Sequence, residues 1–295
     1  MNIVLFGSRG RVGEKIKETL IRQGHQLSCP VREQLDLSDI PAVENYLAEL
    51  EIKRPQALIN SAAISGLEAC LDDPVTAHYV NVMAPECMAR FCERTGTRFI
   101  HLSTDYVLDG RFPGKKEESG KCKPVNTYGE SKWEAEIRIA EAHSQAIIAR
   151  VSWVYGNTRH PAFPDVFLAK AVRGEPLTAI DDKWSLPTHT DTITEAVTAF
   201  LRHPEASGIY HVCDSGQPAN WHDYAVTVLA QAEQQGLTLV TKTVSTQKMK
   251  EITFFRDPRP KHTAMDNQKL SRLLGYPIPD WQTRLSEYLF SLSAQ

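Results

Sequence analysis

The stretch NIVLFGSRGRVG at residues 2–13 limits the fold more than any other: a short apolar run, glycines at 7, 10 and 13, and then a helical pattern over 12–23. A strand that feeds a glycine turn and a helix opens a βαβ unit. Glycine lets the backbone turn tightly and approach a pyrophosphate, while the free N–H groups and dipole of the helix start favour negative charge. The apolar run begins directly after Met1 and Asn2 with no basic region before it, so these residues read as structure and not as a signal peptide.

The alternation continues. Strands are predicted at 2–6, 26–31, 57–60, 98–103 and 146–150, and helices at 12–23, 40–51, 74–95 and 126–143, with Pro41 and Pro74 in first turns. This rhythm predicts an α/β fold, a doubly wound parallel Rossmann sheet over residues 1–155. From 156 to 295 prolines break the pattern into shorter elements, with helices expected at 164–173, 190–203, 220–235, 267–274 and 281–292. A smaller C-terminal α/β substrate-binding region is expected there, with some of its elements free to pack back on the first domain. A net charge of −3 leaves no basic surplus for nucleic acid, and no apolar run nears the roughly 20 residues that cross a bilayer, so neither partner is expected. The six cysteines form no CxxC pair and no zinc-like spacing, which predicts reduced thiols, a cytoplasmic protein and no metal site.

The glycine turn implies a dinucleotide, whose contacts are assigned to Gly7, Arg9, Gly10, Arg11, Val12 and Gly13. An NAD site usually ends its second strand with an acid on the ribose. Here "QLSCPVRE" delivers Arg32 before Glu33, and Arg9, Arg11 and Arg32 suit a 2′-phosphate, the alternative being ordinary surface charges. NADP(H) is therefore preferred and NAD(H) allowed. "LINSAA" ends a buried strand in Ala62 and Ala63, small enough for a flat cofactor ring to lie against the backbone. Ser38 or Asp39 is read as the cap of the next helix.

"STDYVLDG" at 103–110 then places hydroxyls at the end of the fourth strand, and "YGESK" places Tyr128 and Lys132 four residues apart on one helix face. A phenol with an ordinary pKa of about 10 needs a nearby cation to exchange protons near neutrality, and Lys132 offers one. Thr104, preferred over Ser103, would hydrogen-bond a substrate oxygen while Tyr128 moves the proton and a nicotinamide moves the hydride. Ser103 is kept as a substrate contact. The reaction so read is carbonyl reduction or its reverse.

The GxxGxxG spacing resembles that of the short-chain dehydrogenase/reductase superfamily. With "STDYVLDG", "YGESKWEAE", "RVSWVYG", "GIYHVCDSG", "WHDYA" and "RPKHTAMDNQKL", the chain resembles end to end the dTDP-4-dehydrorhamnose reductase family of extended short-chain dehydrogenases. That resemblance implies Thr104, Tyr128 and Lys132 as the catalytic triad, Asp36 and Leu37 facing the adenine, NADPH or NADH as donor, and the C4 ketone of a nucleotide-linked 6-deoxyhexose as the reduced group. It also implies a homodimer, Trp153 lining the sugar and Arg259 near the nucleotide end. A buried core tryptophan and a structural salt bridge are the alternatives for those two residues, and Trp221, His222 and Tyr224 read as packing. The chain departs from the family pattern at 64–70, at 182–188, where relatives tend to read Asp-Gln-x-Gly-x-Pro-Thr and this chain has Lys183, and after Gly156. An epimerase or dehydratase with tightly held NAD, and a cofactor-binding regulatory subunit, are the competing readings. Dehydratases follow the threonine with Asp-Glu, whereas here Tyr106 follows Asp105.

Overall fold

The computed structural model describes residues 1–293, so the last two positions of the 156–295 region lie outside the described residues. Five strands come from the first half: β1 (Asn2–Phe6), β2 (Gln26–Ser28), β3 (Ala57–Asn60), β4 (Arg98–Thr104) and β5 (Ile147–Val151). A sixth, β6 (Gly208–Val212), comes from far downstream, and all pair parallel in the order β6-β5-β4-β3-β1-β2. The central strands are buried on both faces, as continuous apolar runs such as Val4, Leu5 and Phe6 require.

The helices of the first half are α1 (Arg11–Arg22), α2 (Ile40–Lys53), α3 (Leu67–Asp72), α4 (Pro74–His78), α5 (Ala84–Thr95) and α6 (Thr127–Ala142). Asp39 caps α2 by accepting from the Ala42 N–H at 3.0 Å. Two sequence expectations need correction. The second strand stops at Ser28, short of 31, because the edge strand runs into Pro30, which has no N–H to donate. The single helix expected over 74–95 is two helices joined by a π turn, Tyr79–Met83. Pro85 cannot donate to the carbonyl four residues back, at Asn81, and the wider turn absorbs that missing bond. The six-residue α3 and the strand β6 are further elements that apolar periodicity did not single out.

Beyond β5 lie α7 (Phe163–Val172), α8 (Thr190–Arg202), α9 (Trp221–Gln234), α10 (Gln268–Leu274) and α11 (Trp281–Ser293). α7, α9 and α11 surround a separate apolar core built on Leu168, Leu186, Tyr224, Val228, Trp281 and Leu285. α8 instead packs on α1 and its Ile193, Val197 and Phe200 join the core under the sheet. Arg98 of β4 secures this return, donating to the carbonyls of Phe200, His203, Pro204 and Ala206 at 2.6–3.1 Å. Among the described residues no helix is long and apolar enough to cross a membrane.

Behind the sheet Glu136 of α6 and Arg150 of β5 form a fully buried ion pair at 2.6 Å. Two charges removed from water are tolerable only while both are present, so Glu136→Ala, which strands the guanidinium, should cost about 3–5 kcal/mol in chemical denaturation.

Candidate active site

β1 ends at Phe6 and the chain turns at once, with Gly7 at φ +77°. A Cβ on Gly13 would stand 2.1 Å from the Gly7 carbonyl oxygen, and one on Gly7 would stand 2.6 Å from the Ala62 nitrogen. Only glycine permits both contacts, and they bring the first turn of α1 against the end of β3. The result is a cleft of about 250 Å³ whose wall includes Gly7, Gly10, Arg32, Asp36, Leu37 and Ala62. Arg9 and Ala63 also line it. Val12 turns its side chain into the core under the sheet and does not line the cleft. The donor set fits a dinucleotide: first-turn amides for phosphate, small alanines for a flat ring, and two exposed arginines at the mouth. Arg9 meets Glu33 at 2.9 Å and Arg32 meets Asp36 at 3.5 Å, both in solvent-exposed pairs that an incoming phosphate can displace.

The second half of the site begins where β4 ends. Thr104 accepts from the Tyr106 N–H at 3.2 Å, starting the turn Asp105–Val107, and its hydroxyl lies 3.3 Å from Asp105 Oδ1. Asn126 caps α6 by accepting from the Gly129 N–H at 2.7 Å, and a Cβ on Gly129 would stand 2.6 Å from the Tyr106 carbonyl. That close approach seats Tyr128 beside the strand end, with its phenol next to the Thr104 hydroxyl. Lys132, one turn on, is buried and donates to the Leu102 carbonyl at 2.8 Å, with His101 Nε2 also at 2.8 Å. Burial lowers its pKa to about 8, while burial raises that of Tyr128 above the usual phenol value. The cation expected to ease ionisation of Tyr128 thus faces His101 and the Leu102 carbonyl.

Asn81, in the π turn, links the two halves. It accepts from the Ile64 N–H at 2.9 Å, donates to the Ile64 carbonyl at 3.0 Å, and reaches Ser131 of α6 at 3.1 Å. Ile64 lines the cleft, so the wall next to Ala63 is tied to the helix that carries Tyr128.

Four expected contacts are placed elsewhere. The Arg11 guanidinium donates to the carbonyls of Val154, His160 and Pro161, so it ties α1 to the loop after β5 and is not free for a 2′-phosphate. Ser103, one residue before Thr104 on a strand whose side chains alternate, points under α6 and donates to Glu136 at 2.5 Å, away from any substrate. Arg259 pairs with Glu68 at 2.7 Å and lies over the Phe255 ring at 3.7 Å, as a structural bridge does. Trp153, at φ +42°, leans on Trp221 and Tyr224 against the second core.

Asn60, Asn81, His101 and Lys183 were not singled out as site residues. Lys183 is buried beside Asp105, donates to the Pro260 carbonyl at 2.9 Å and has a pKa that burial lowers to about 8. Asp105 accepts from Ser185 at 3.1 Å and from Thr263. The available signals were polar residues inside apolar strands, at 60 and 101, and the unusual lysine within 182–188.

A family model described as "RmlD substrate binding domain" matches residues 1–293. Among curated relatives, the dTDP-4-dehydrorhamnose reductase of Shigella flexneri is 28% identical over the full length of both chains. A solved structure of a dTDP-4-dehydrorhamnose reductase from Clostridium acetobutylicum superposes with a TM-score of 0.89 at 24% identity, covering 99% of this chain and 100% of that one. Another from Bacillus anthracis, in complex with NADP, gives 0.87 at 23% identity, covering 98% and 99%. Since that family model spans both the glycine cleft and the second core, the chain belongs to the RmlD substrate-binding-domain family.

Proposed function

We propose that this protein is an NADPH-dependent oxidoreductase that reduces the keto group of a nucleotide-linked 4-keto-6-deoxy sugar, dTDP-4-dehydrorhamnose to dTDP-rhamnose. The observation that carries the reading is the placement of the buried Tyr128 phenol beside Thr104 at the end of β4, with Lys132 one helical turn away and the glycine cleft tied to the same helix. The reductases similar to this chain, one of them solved with NADP, support the substrate and the cofactor.

When bound along the glycine turn, the dinucleotide supplies the hydride. The first-turn amides of α1 hold its diphosphate, and Arg9 and Arg32 are the candidates for the 2′-phosphate that separates NADPH from NADH. Ala62 and Ala63 leave the space in which a flat ring can lie, and Asp36 and Leu37 face the adenine. Thr104 orients the substrate carbonyl, and Tyr128 gives its phenolic proton to the carbonyl oxygen as charge develops there. An ammonium at Lys132 stabilises the resulting phenolate. Residues 156–295 receive the sugar nucleotide. The reading includes a cytoplasmic location, consistent with six free cysteines, and a homodimer, which sedimentation would reveal.

Purified protein should oxidise NADPH when given dTDP-4-dehydrorhamnose, and absence of turnover over a panel of nucleotide-linked keto sugars would overturn the reading. Tyr128→Phe should lower kcat about 10²–10⁴-fold with NADPH binding retained. Arg9→Ala combined with Arg32→Ala should raise the KM for NADPH and leave that for NADH nearly unchanged. Because the ammonium is the assisting form and its pKa is depressed to about 8, activity is expected to be present below that pH and lost above it. A kcat/KM profile measured across this range checks the sign.

A further inference from the structure

Asn60 closes β3, is fully buried, and has a hydrogen-bond pattern that fixes proton positions two residues away. Its side-chain Oδ1 lies 3.0 Å from the backbone nitrogen of Ala62. A backbone N–H can only donate, so the atom it meets must be the amide oxygen. The other amide atom is then the NH₂ group, and it lies 3.2 Å from His101 Nδ1. An NH₂ group also only donates, so Nδ1 carries a lone pair and the single proton of the neutral imidazole sits on Nε2.

That Nε2–H points at Lys132 Nζ, 2.8 Å away. An ammonium has three donors and no acceptor, so two N–H groups would face each other there. The contact is favourable only if Lys132 is a neutral amine that accepts from His101 and donates onward to the Leu102 carbonyl. A doubly protonated His101 gives no escape, because Nδ1–H would then face the Asn60 NH₂, and burial holds the ring's pKa well below its usual value. The charged groups near Lys132 do not reverse this. Glu136, one turn along α6, favours the ammonium but is committed to Arg150 of β5 at 2.6 Å. Tyr128 on the same helix is an un-ionised phenol, and Asn60 of β3 and Asn81 of the π turn are uncharged.

We propose that His101 is a positioning residue of the proton-transfer centre: through the Nε2–H tautomer that Asn60 imposes, it favours the neutral amine of Lys132 in the free protein, so that this lysine gives up its proton more readily than an ordinary one. The Ala62 N–H fixes the polarity of the Ala62–Asn60–His101–Lys132 chain, so a Lys132 ammonium forms only at the cost of its contact with His101. Ala62 lines the dinucleotide cleft, so the far end of the chain lies where a bound cofactor is felt. The assignment rests on the reading of Lys132 as part of the reductase centre. Its test is separable from that reading.

Long-range ¹⁵N–¹H correlation on protein labelled at histidine and free of ligands reports the tautomer directly, with no turnover required. Protonated Nε2 on His101 is expected; protonated Nδ1 would overturn the proposal. Asn60→Asp supplies a second readout, because a carboxylate accepts from both the Ala62 N–H and a His101 Nδ1–H. The ring should switch tautomer, Nε2 should accept from a Lys132 ammonium, and the alkaline limb of kcat/KM should move up by about one pH unit or more, a tenfold change in proton affinity. Unchanged tautomer and unchanged limb in folded Asn60→Asp would also overturn it, since a purely structural role would lower kcat evenly across pH. If Asn60→Asp does not fold, the wild-type tautomer alone decides. A failed reductase reading would show instead as no turnover, with the tautomer still measurable.

Discussion

The absence of a side chain at position 13 is the constraint from which the functional geometry follows. The Gly7 carbonyl occupies the space where a Cβ would be, so α1 can begin one tight turn after β1 and lie flat on the sheet. Because α1 lies there, its first-turn amides open at the carboxyl ends of β1 and β3, the end at which open α/β sheets bind ligands. Leu35, Asp36 and Leu37 form the opposite wall after the short edge strand, and Ala62 and Ile64 form the floor. Moving the helix outward to make room for a methyl group would break this register at every one of these positions.

Much of this arrangement was legible in the sequence. Five strands and the helices after residue 156 fall within a few residues of where periodicity places them, because each buries a clear apolar stripe. What was not legible depends on tertiary context. The π turn needs Pro85 to be recognised as sitting inside a continuing helix, when proline in a sequence reads as a start or a stop. Thr104 and Ser103 are adjacent hydroxyls, and only the pairing of β4 decides which of them faces Glu136. Arg11 sits in a cofactor motif, but its guanidinium is drawn to three carbonyls of a loop nearly 150 residues later. Distant partners of this kind leave no mark on local spacing.

The interior carries more charge than its apolar strands suggest. Lys132, Lys183, Asp105, Glu136 and Arg150 are all buried, yet each is held by specific partners or by a compensating charge. Glu136 and Arg150 neutralise each other, whereas Asp105 accepts from hydroxyls of Ser185 and Thr263 and feels the Lys183 ammonium. The two lysines differ from the ion pair in having pKa values lowered towards neutrality. A centre that moves protons gains from groups that change charge near neutral pH. The ion pair behind it serves a different purpose, since it fixes α6 against β5 and so fixes the helix that carries Tyr128.

The sheet is completed by a strand that leaves the ribosome late. β5 emerges with one edge unpaired, and its neighbour β6 is synthesised only after the loop, α7 and α8 have followed. At about 5–20 residues per second a nascent chain would expose that edge for several seconds. Unpaired parallel edges invite pairing with foreign strands. A chain cut after β5 would keep its glycine turn while losing the strand that covers this edge of its sheet.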